Sequence, residues 1–193
     1  MKTIAISGSL RGNVGKRDAK ELRYEGKVPA VLYGGKGQTH FSVLASDLKL
    51  LIFSSDVSFV GLEVDGVTTQ AIIQDTQFHP LTDQVIHIDF LELQVDKPIV
   101  MQIPVQLTGT SPGVKMGGKL FQKLRKLRVR ALPADMPQYV QVSINTLDVG
   151  HAVRVRDLDF KGYDVINTPE DTIVSVTTSR ALRQAEQDAV KGK

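Results

Sequence analysis

Apolar and polar residues alternate with a period of two along most of the chain, which is the signature of half-buried β-strands. Lys2, Ile4 and Ile6 alternate with Thr3, Ala5 and Ser7 and predict a first strand. Residues 29–33 predict a second, stopped by Gly34-Gly35, and residues 41–43 a third. Residues 58–64 and 68–74 flank Asp65-Gly66, a pair that tolerates positive φ and so predicts a hairpin. Residues 85–93 form another strand, whose alternation puts His87 and Asp89 on one face. Further strands are expected at 99–107, in the second half of 120–132, and at 139–144, 153–155 and 173–177.

Helical spacing is rarer. Asp18 is placed to cap a helix over residues 19–25, which Gly26 ends as a left-handed stop. Leu48, Leu51 and Ile52 share one face of a second helix beginning at Ser46-Asp47. Residues 108–118 read as a loop, and Leu120, Leu124 and Leu127 fit helix spacing as well as the strand that follows. Many short strands with few helices predict a mainly β fold, a barrel or sandwich with a little α content. Lys97-Pro98 follows a polar, acidic stretch and is the expected boundary, giving domains at 1–96 and 97–179 and a charged, flexible tail at 180–193.

Composition narrows the function. The chain has 193 residues, 41% hydrophobic and 23% charged, near the globular average, so a wholly disordered chain is not expected. It has no cysteine, which excludes disulfides, thiolate metal sites and cysteine nucleophiles and suits a reducing cytoplasm. No apolar run approaches the ~18–20 residues of a membrane span, and the N-terminus lacks the apolar core of a secretory signal. The net charge of +3 hides a pattern. Residues 1–40 carry eight Lys/Arg against three Asp/Glu, residues 41–110 two against nine, and residues 111–193 fourteen against nine. Two basic blocks around a cation-poor middle point to a polyanionic partner, most often nucleic acid.

Three groups of residues carry candidate chemistry. Gly12-Asn13-Val14-Gly15-Lys16-Arg17 resembles a phosphate-binding loop only superficially, because the required leading Gly and trailing Ser/Thr are replaced by Leu10 and Arg17. What remains is a basic run, with Lys16, Lys20 and Arg23 along one helical stripe and Arg11 before it, fit to follow a phosphate backbone or simply to solvate a helix. Second, His79, His87 and Asp89 with Asp83 suit RNA contact, a buried structural pair, or a metal-dependent hydrolase. No HExxH or Gly-x-Ser-x-Gly signature supports catalysis. Third, residues 115–130 hold seven basic and no acidic residues, suited to RNA, to an acidic partner, or to guarding a strand edge.

The run Leu10-Arg11, Gly15-Lys16, Leu22-Arg23 and Gly26-Lys27-Val28-Pro29-Ala30-Val31-Leu32-Tyr33-Gly34-Gly35, with Gln74-Asp75-Thr76-Gln77-Phe78-His79-Pro80 and His87-Ile88-Asp89-Phe90, resembles a bacterial ribosomal family. This is the large-subunit 5S-rRNA-binding family (number twenty-five in the L series), which includes the general stress protein Ctc. The second half is similar to the added domain of the longer, Ctc-type members through Ser111-Pro112-Gly113-Val114, Leu132-Pro133-Ala134-Asp135-Met136-Pro137 and Leu147-Asp148-Val149-Gly150.

The resemblance implies an N-terminal β-barrel with short helices, similar to the anticodon-binding domain of glutaminyl-tRNA synthetase, and a second, mostly β domain. It implies no catalysis and no cofactor. It implies a cytoplasmic protein of the ribosome, monomeric there and apart from any membrane. Its partners would be the loop E region of 5S rRNA in the central protuberance and neighbouring rRNA and ribosomal proteins. RNA-contacting positions carried over by the resemblance are Arg11, Lys16, Lys20, Arg23, Tyr33, Gln74, His79, His87 and Asp89. Glu21 departs from the family's basic or small residue and receives no phosphate contact. The alternative is a ribosome- or tRNA-associated stress factor whose second domain docks a protein.

Overall fold

The computed structural model describes residues 1–35, 37–54, 56–160 and 162–178; the expected tail at 180–193 lies outside them. The chain is mainly β and divides into two compact units, Met1–Met101 with Ala131–Gln138, and Gln102–Arg130 with the chain from Tyr139.

The first unit is a closed barrel. In chain order its elements are β1 (Lys2–Leu10), α1 (Lys16–Tyr24), β2 (Lys27–Tyr33), β3 (Thr39–Leu44), α2 (Ala45–Ile52), β4 (Ser58–Val64), β5 (Val67–Phe78) and β6 (Val85–Glu92). Around the barrel the order is β1-β3-β2-β6-β5-β4, and β4 closes the ring by pairing parallel to β1. Closure removes both free edges, which an open six-stranded sheet would have to protect.

Alternation sorts each strand into an inner and an outer face. Ile6, Val28, Ala30, Leu32, Phe41, Val43, Val60, Leu62, Ala71, Ile88 and Phe90 fill the interior, and Leu48 and Leu51 of α2 join the same core. Phe41 and Phe90 meet there with ring centroids 5.8 Å apart. At the β4–β5 hairpin Asp65 and Gly66 have φ of 52° and 78°, so the expected turn forms with both central residues left-handed.

The helices begin differently from the sequence expectation. Gly15, not Asp18, is the N-cap of α1, and Asp18 sits inside its first turn, where Arg11 holds it. Gly26 follows the helix at φ +76° and turns the chain into β2, as expected. α2 is entered directly from β3 through Leu44, while the Ser46 hydroxyl donates to Asp47 instead of capping a backbone N–H. α1 buries no residue, so side-chain anchors, not a core face, keep it on the barrel.

The second unit has two small sheets. β7 (Ile99–Thr108), which begins in the first unit, β9 (Lys126–Ala131), β10 (Val140–Ser143) and β12 (Asp164–Val165) form one, in the order β10-β7-β9-β12. β8 (Lys119–Gln122), β11 (Ala152–Arg154) and β13 (Thr172–Thr177) form the other, in the order β11-β13-β8. The expected loop at 108–118 contains a short helix, α3 (Pro112–Lys115), where the Ser111 hydroxyl accepts from the Val114 N–H. Both halves of the ambiguous stretch are strands; Leu120 lies on β8, paired with Val176 of β13, so the helix option fails. The two-residue β12 is too short for any periodicity to announce it.

Candidate nucleic-acid interface

The outer face of β2, β6 and β5 gathers several of the candidate residues. In β6, Ile88 and Phe90 point inward, so His87 and Asp89 point outward. Register places Asp89 opposite Val31 of β2 on one side and Asp75 of β5 on the other. Tyr33, two residues beyond Val31, lies diagonally from Asp89 on the same face. His87 Nδ1 lies 2.7 Å from Asp89 Oδ1, and both side chains retain 29% exposure, so the pair is neither buried nor fully solvated. The contact orients the imidazole and leaves Nε2 for another partner. Burial raises the Tyr33 pKa above its ordinary value, and the negative charges of Asp89 and Asp75 raise it further. The phenol therefore stays protonated and remains a donor at neutral pH.

Asp75 and Asp89 face each other directly, an arrangement that is unfavourable for two like charges. It leaves a patch rich in acceptors, which suits groups that donate: 2′-hydroxyls and the exocyclic amino group of guanine. Asp75 was not among the residues singled out from sequence. Plain alternation would put Asp75 on the inner face with Ile73, which pairs with buried Phe90; the extra residue Gln74 turns it outward opposite Asp89, a register that the sequence does not show.

Two bulges shape this face. Ile73 pairs with Phe90 and Asp75 with Asp89, so Gln74 is the extra residue of β5, exposed and outside the pairing. Gln77 pairs with His87 and Phe78 with Val85, so Ile86 is the extra residue of β6. The Arg23 Nε donates to the Ile86 carbonyl oxygen at 3.1 Å. One guanidinium thus satisfies a carbonyl at the bulge and ties α1 to the strand one residue from His87. Arg23 has further N–H donors, and its side chain is exposed.

Helix geometry puts Lys16, Lys20 and Arg23 on one flank of α1. Arg23 reaches β6, so this end of the flank and the His87–Asp89 pair share a side of the barrel. Lys16 and Lys20 are exposed, and the Lys20 ammonium lies 5.8 Å from the centre of the Tyr24 ring.

Arg11 behaves differently. Its side chain is only 7% exposed, and its Nε and Nη2 both donate to Asp18 Oδ2, at 3.1 and 2.5 Å. It fastens the first turn of α1 to the end of β1. His79 is also occupied in the fold: its Nδ1 accepts from the N–H groups of Leu81 and Thr82, closing the β5–β6 turn. It lines a cleft of about 410 Å³ with Arg23, Lys27 and Lys49, on the α1 side of the barrel. Among the described residues no three His, Asp or Glu side chains converge as a metal site, so the hydrolase reading has no geometry to stand on.

Residues 6–90 match the Ribosomal L25p family, and residues 98–180 match the C-terminal domain of ribosomal protein TL5. The large ribosomal subunit protein bL25 of Amoebophilus asiaticus is 44% identical over 194 residues, covering 100% of this chain and 99% of the relative. That of Porphyromonas gingivalis is 42% identical, covering 96% and 97%. That of Cytophaga hutchinsonii is 39% identical, covering 99% and 100%.

Proposed function

The chain belongs to the ribosomal L25p family, in its longer two-domain form, and is a structural component of the large ribosomal subunit, not an enzyme; on that premise we propose that its barrel, residues 1–96, binds the loop E region of 5S rRNA within the central protuberance. The observation that carries this reading is the shared side of the barrel, where Arg23 brings the basic flank of α1 beside a strand bearing His87 and Asp89.

The two halves of the surface have different tasks. Lys16, Lys20 and the free N–H groups of Arg23 neutralise phosphates and set position. Asp89, Asp75 and His87 accept from donors in the wide, shallow minor groove, while the Tyr33 hydroxyl donates and Gln74 does both from its bulge. Base pairs outside the Watson–Crick pattern present an unusual array of such groups, so the row selects an irregular helix over a regular one. Arg11 contributes by holding α1 in place, and His79 by shaping the turn and the adjoining cleft.

The test is a binding titration with purified 5S rRNA and with a regular duplex of equal length. Asp89→Ala is expected to lower affinity for 5S rRNA by roughly tenfold, as loss of a charged hydrogen bond of about 1.5 kcal/mol requires, while duplex binding and the salt slope stay the same. Equal loss on both RNAs, or no loss on either, rejects the groove-reading role.

A further inference from the structure

The seven basic residues between positions 115 and 130 do not form one diffuse patch. Lys126, Arg128 and Arg130 are the exposed positions of β9, and Leu127, Val129 and Ala131 between them are buried. Alternate residues of a strand lie about 6.4–6.8 Å apart, so β9 carries three cations in a straight, evenly spaced row. The strand is interior to its sheet, with β7 on one side and β12 on the other. The row is therefore not the charged guard of an open edge.

Its backbone is pinned as well. The Arg128 N–H donates to Asn167 Oδ1 at 2.7 Å, and the Arg128 carbonyl accepts from the Ile166 N–H at 2.9 Å. Among the described residues no carboxylate lies within ion-pair distance of the three cations, including Asp164, which stands opposite Arg130. Two other arginines of the unit have carboxylate partners: Glu170 pairs with both Arg154 and Arg156, and Asp157 pairs with Arg156. The β9 row has no such partner.

We infer that this outer face of β9 is a second RNA contact, which binds the phosphate backbone of an rRNA segment through Lys126, Arg128 and Arg130. The even spacing of the charges resembles that of consecutive phosphates along one strand. On the solvent side of the same sheet Gln106 and Gln141 are exposed in register, with Ser143 two residues on, and offer amide and hydroxyl groups to 2′-hydroxyls. Exposed Tyr139, immediately before β10, continues the outward alternation and adds a ring for a base. The core of a protein interface is depleted in charge and built on apolar anchors, whereas charge dominates this face. The inference goes beyond the 5S rRNA reading, since it concerns different residues in the other unit.

Reconstitution decides it. Large subunits stripped of this protein are rebuilt with the full-length chain, and the RNA backbone is mapped by hydroxyl-radical cleavage. Two separate protections are expected: one lost with Lys16→Ala/Lys20→Ala, the other with Lys126→Ser/Arg128→Ser/Arg130→Ser. The second variant also shows a rebinding salt slope shallower by about two to three, from three phosphates at about 0.7–0.9 each. If folding of the triple variant is impaired, Arg128→Gln alone is read by the same slope, with an expected change of about 0.7–0.9. Protections and slope identical to those of the unaltered chain, or a loss of contact with ribosomal protein alone, overturn the inference. Loss of only the first protection in Lys16→Ala/Lys20→Ala leaves it standing, so the two surfaces fail separately.

Discussion

The outer face of the barrel and the outer face of β9 are both charged β surfaces, yet their chemistry differs. On the barrel, cations sit on a helix beside the strands, while the strands carry two opposed carboxylates, an imidazole and a protonated phenol. On β9 the cations are on the strand itself; Asp164 stands opposite Arg130 outside ion-pair distance, and neutral Gln106 and Gln141 are exposed on the same sheet. Donors and acceptors arranged together can discriminate between RNA shapes, because an ill-fitting groove leaves buried polar groups unpaired. A row of like charges with adaptable neighbours adds affinity without much selection. The difference teaches that net positive charge, which the two ends of the chain share, says little about what each surface can recognise.

The comparison can be broken at its most structural point. Arg11→Ala removes both bonds to Asp18 and leaves that carboxylate without its partner, so barrel stability is expected to fall by about 1–3 kcal/mol in denaturant titration. Affinity for 5S rRNA falls with it, since α1 loses an anchor, but the salt slope does not change. Adding Asp18→Ala restores part of the stability. A shallower slope at unchanged stability would instead make Arg11 a phosphate contact and move it to the other side of the comparison.

A smaller effect sharpens the division between positioning and reading. Lys16→Ala/Lys20→Ala is expected to make the salt slope for 5S rRNA shallower by about 1.4–1.8 while preference over a regular duplex persists. If preference is lost in step with the slope, the helix cations take part in reading shape, and the barrel surface is not split as described.

The smallest effect concerns the phenol. An unfolded tyrosine releases its proton near pH 10, but folded Tyr33 holds it to higher pH because of burial and the carboxylates of Asp89 and Asp75. Above about pH 10 the folded state thus binds a proton that the unfolded state has lost. The Tyr33 contribution to stability is expected to fall as pH rises through that range and to be gone above the folded pKa. Tyr33→Phe shows a smaller fall in denaturation midpoint between about pH 9 and pH 11. Tyr163, raised by burial alone, contributes to the fall that remains in both proteins. An identical alkaline fall in the variant would mean that the phenol does not feel the acidic pair.

Much of the fold was legible because it rests on local rules. The alternation of Ile86, Ile88 and Phe90 with His87 and Asp89 mixes at its ends but settles which side faces water, and the structure keeps His87 and Asp89 together. Asp65-Gly66 and Gly26 announce their turns through backbone sterics alone. Asp18 misled because its residue type suits a helix cap, while a partner seven residues earlier holds it inside the first turn. Arg11 shows a different limit: in the sequence it is one more cation of a basic run, and only the fold shows its side chain covered and paired with Asp18.

By itself the sequence determined most of the strands and their alternation, the family and the presence of two basic blocks. Side-chain periodicity and turn sterics act over a few residues and need no partner. Tertiary structure alone decided that Asp75 faces Asp89, that the bulges at Gln74 and Ile86 re-aim the strands, that Arg23 brings α1 beside His87, and that β9 is an interior strand. Each of these depends on register or on contact between residues far apart in the chain. Such pairings are set by the total packing of the core and by barrel closure, which no short window of sequence contains.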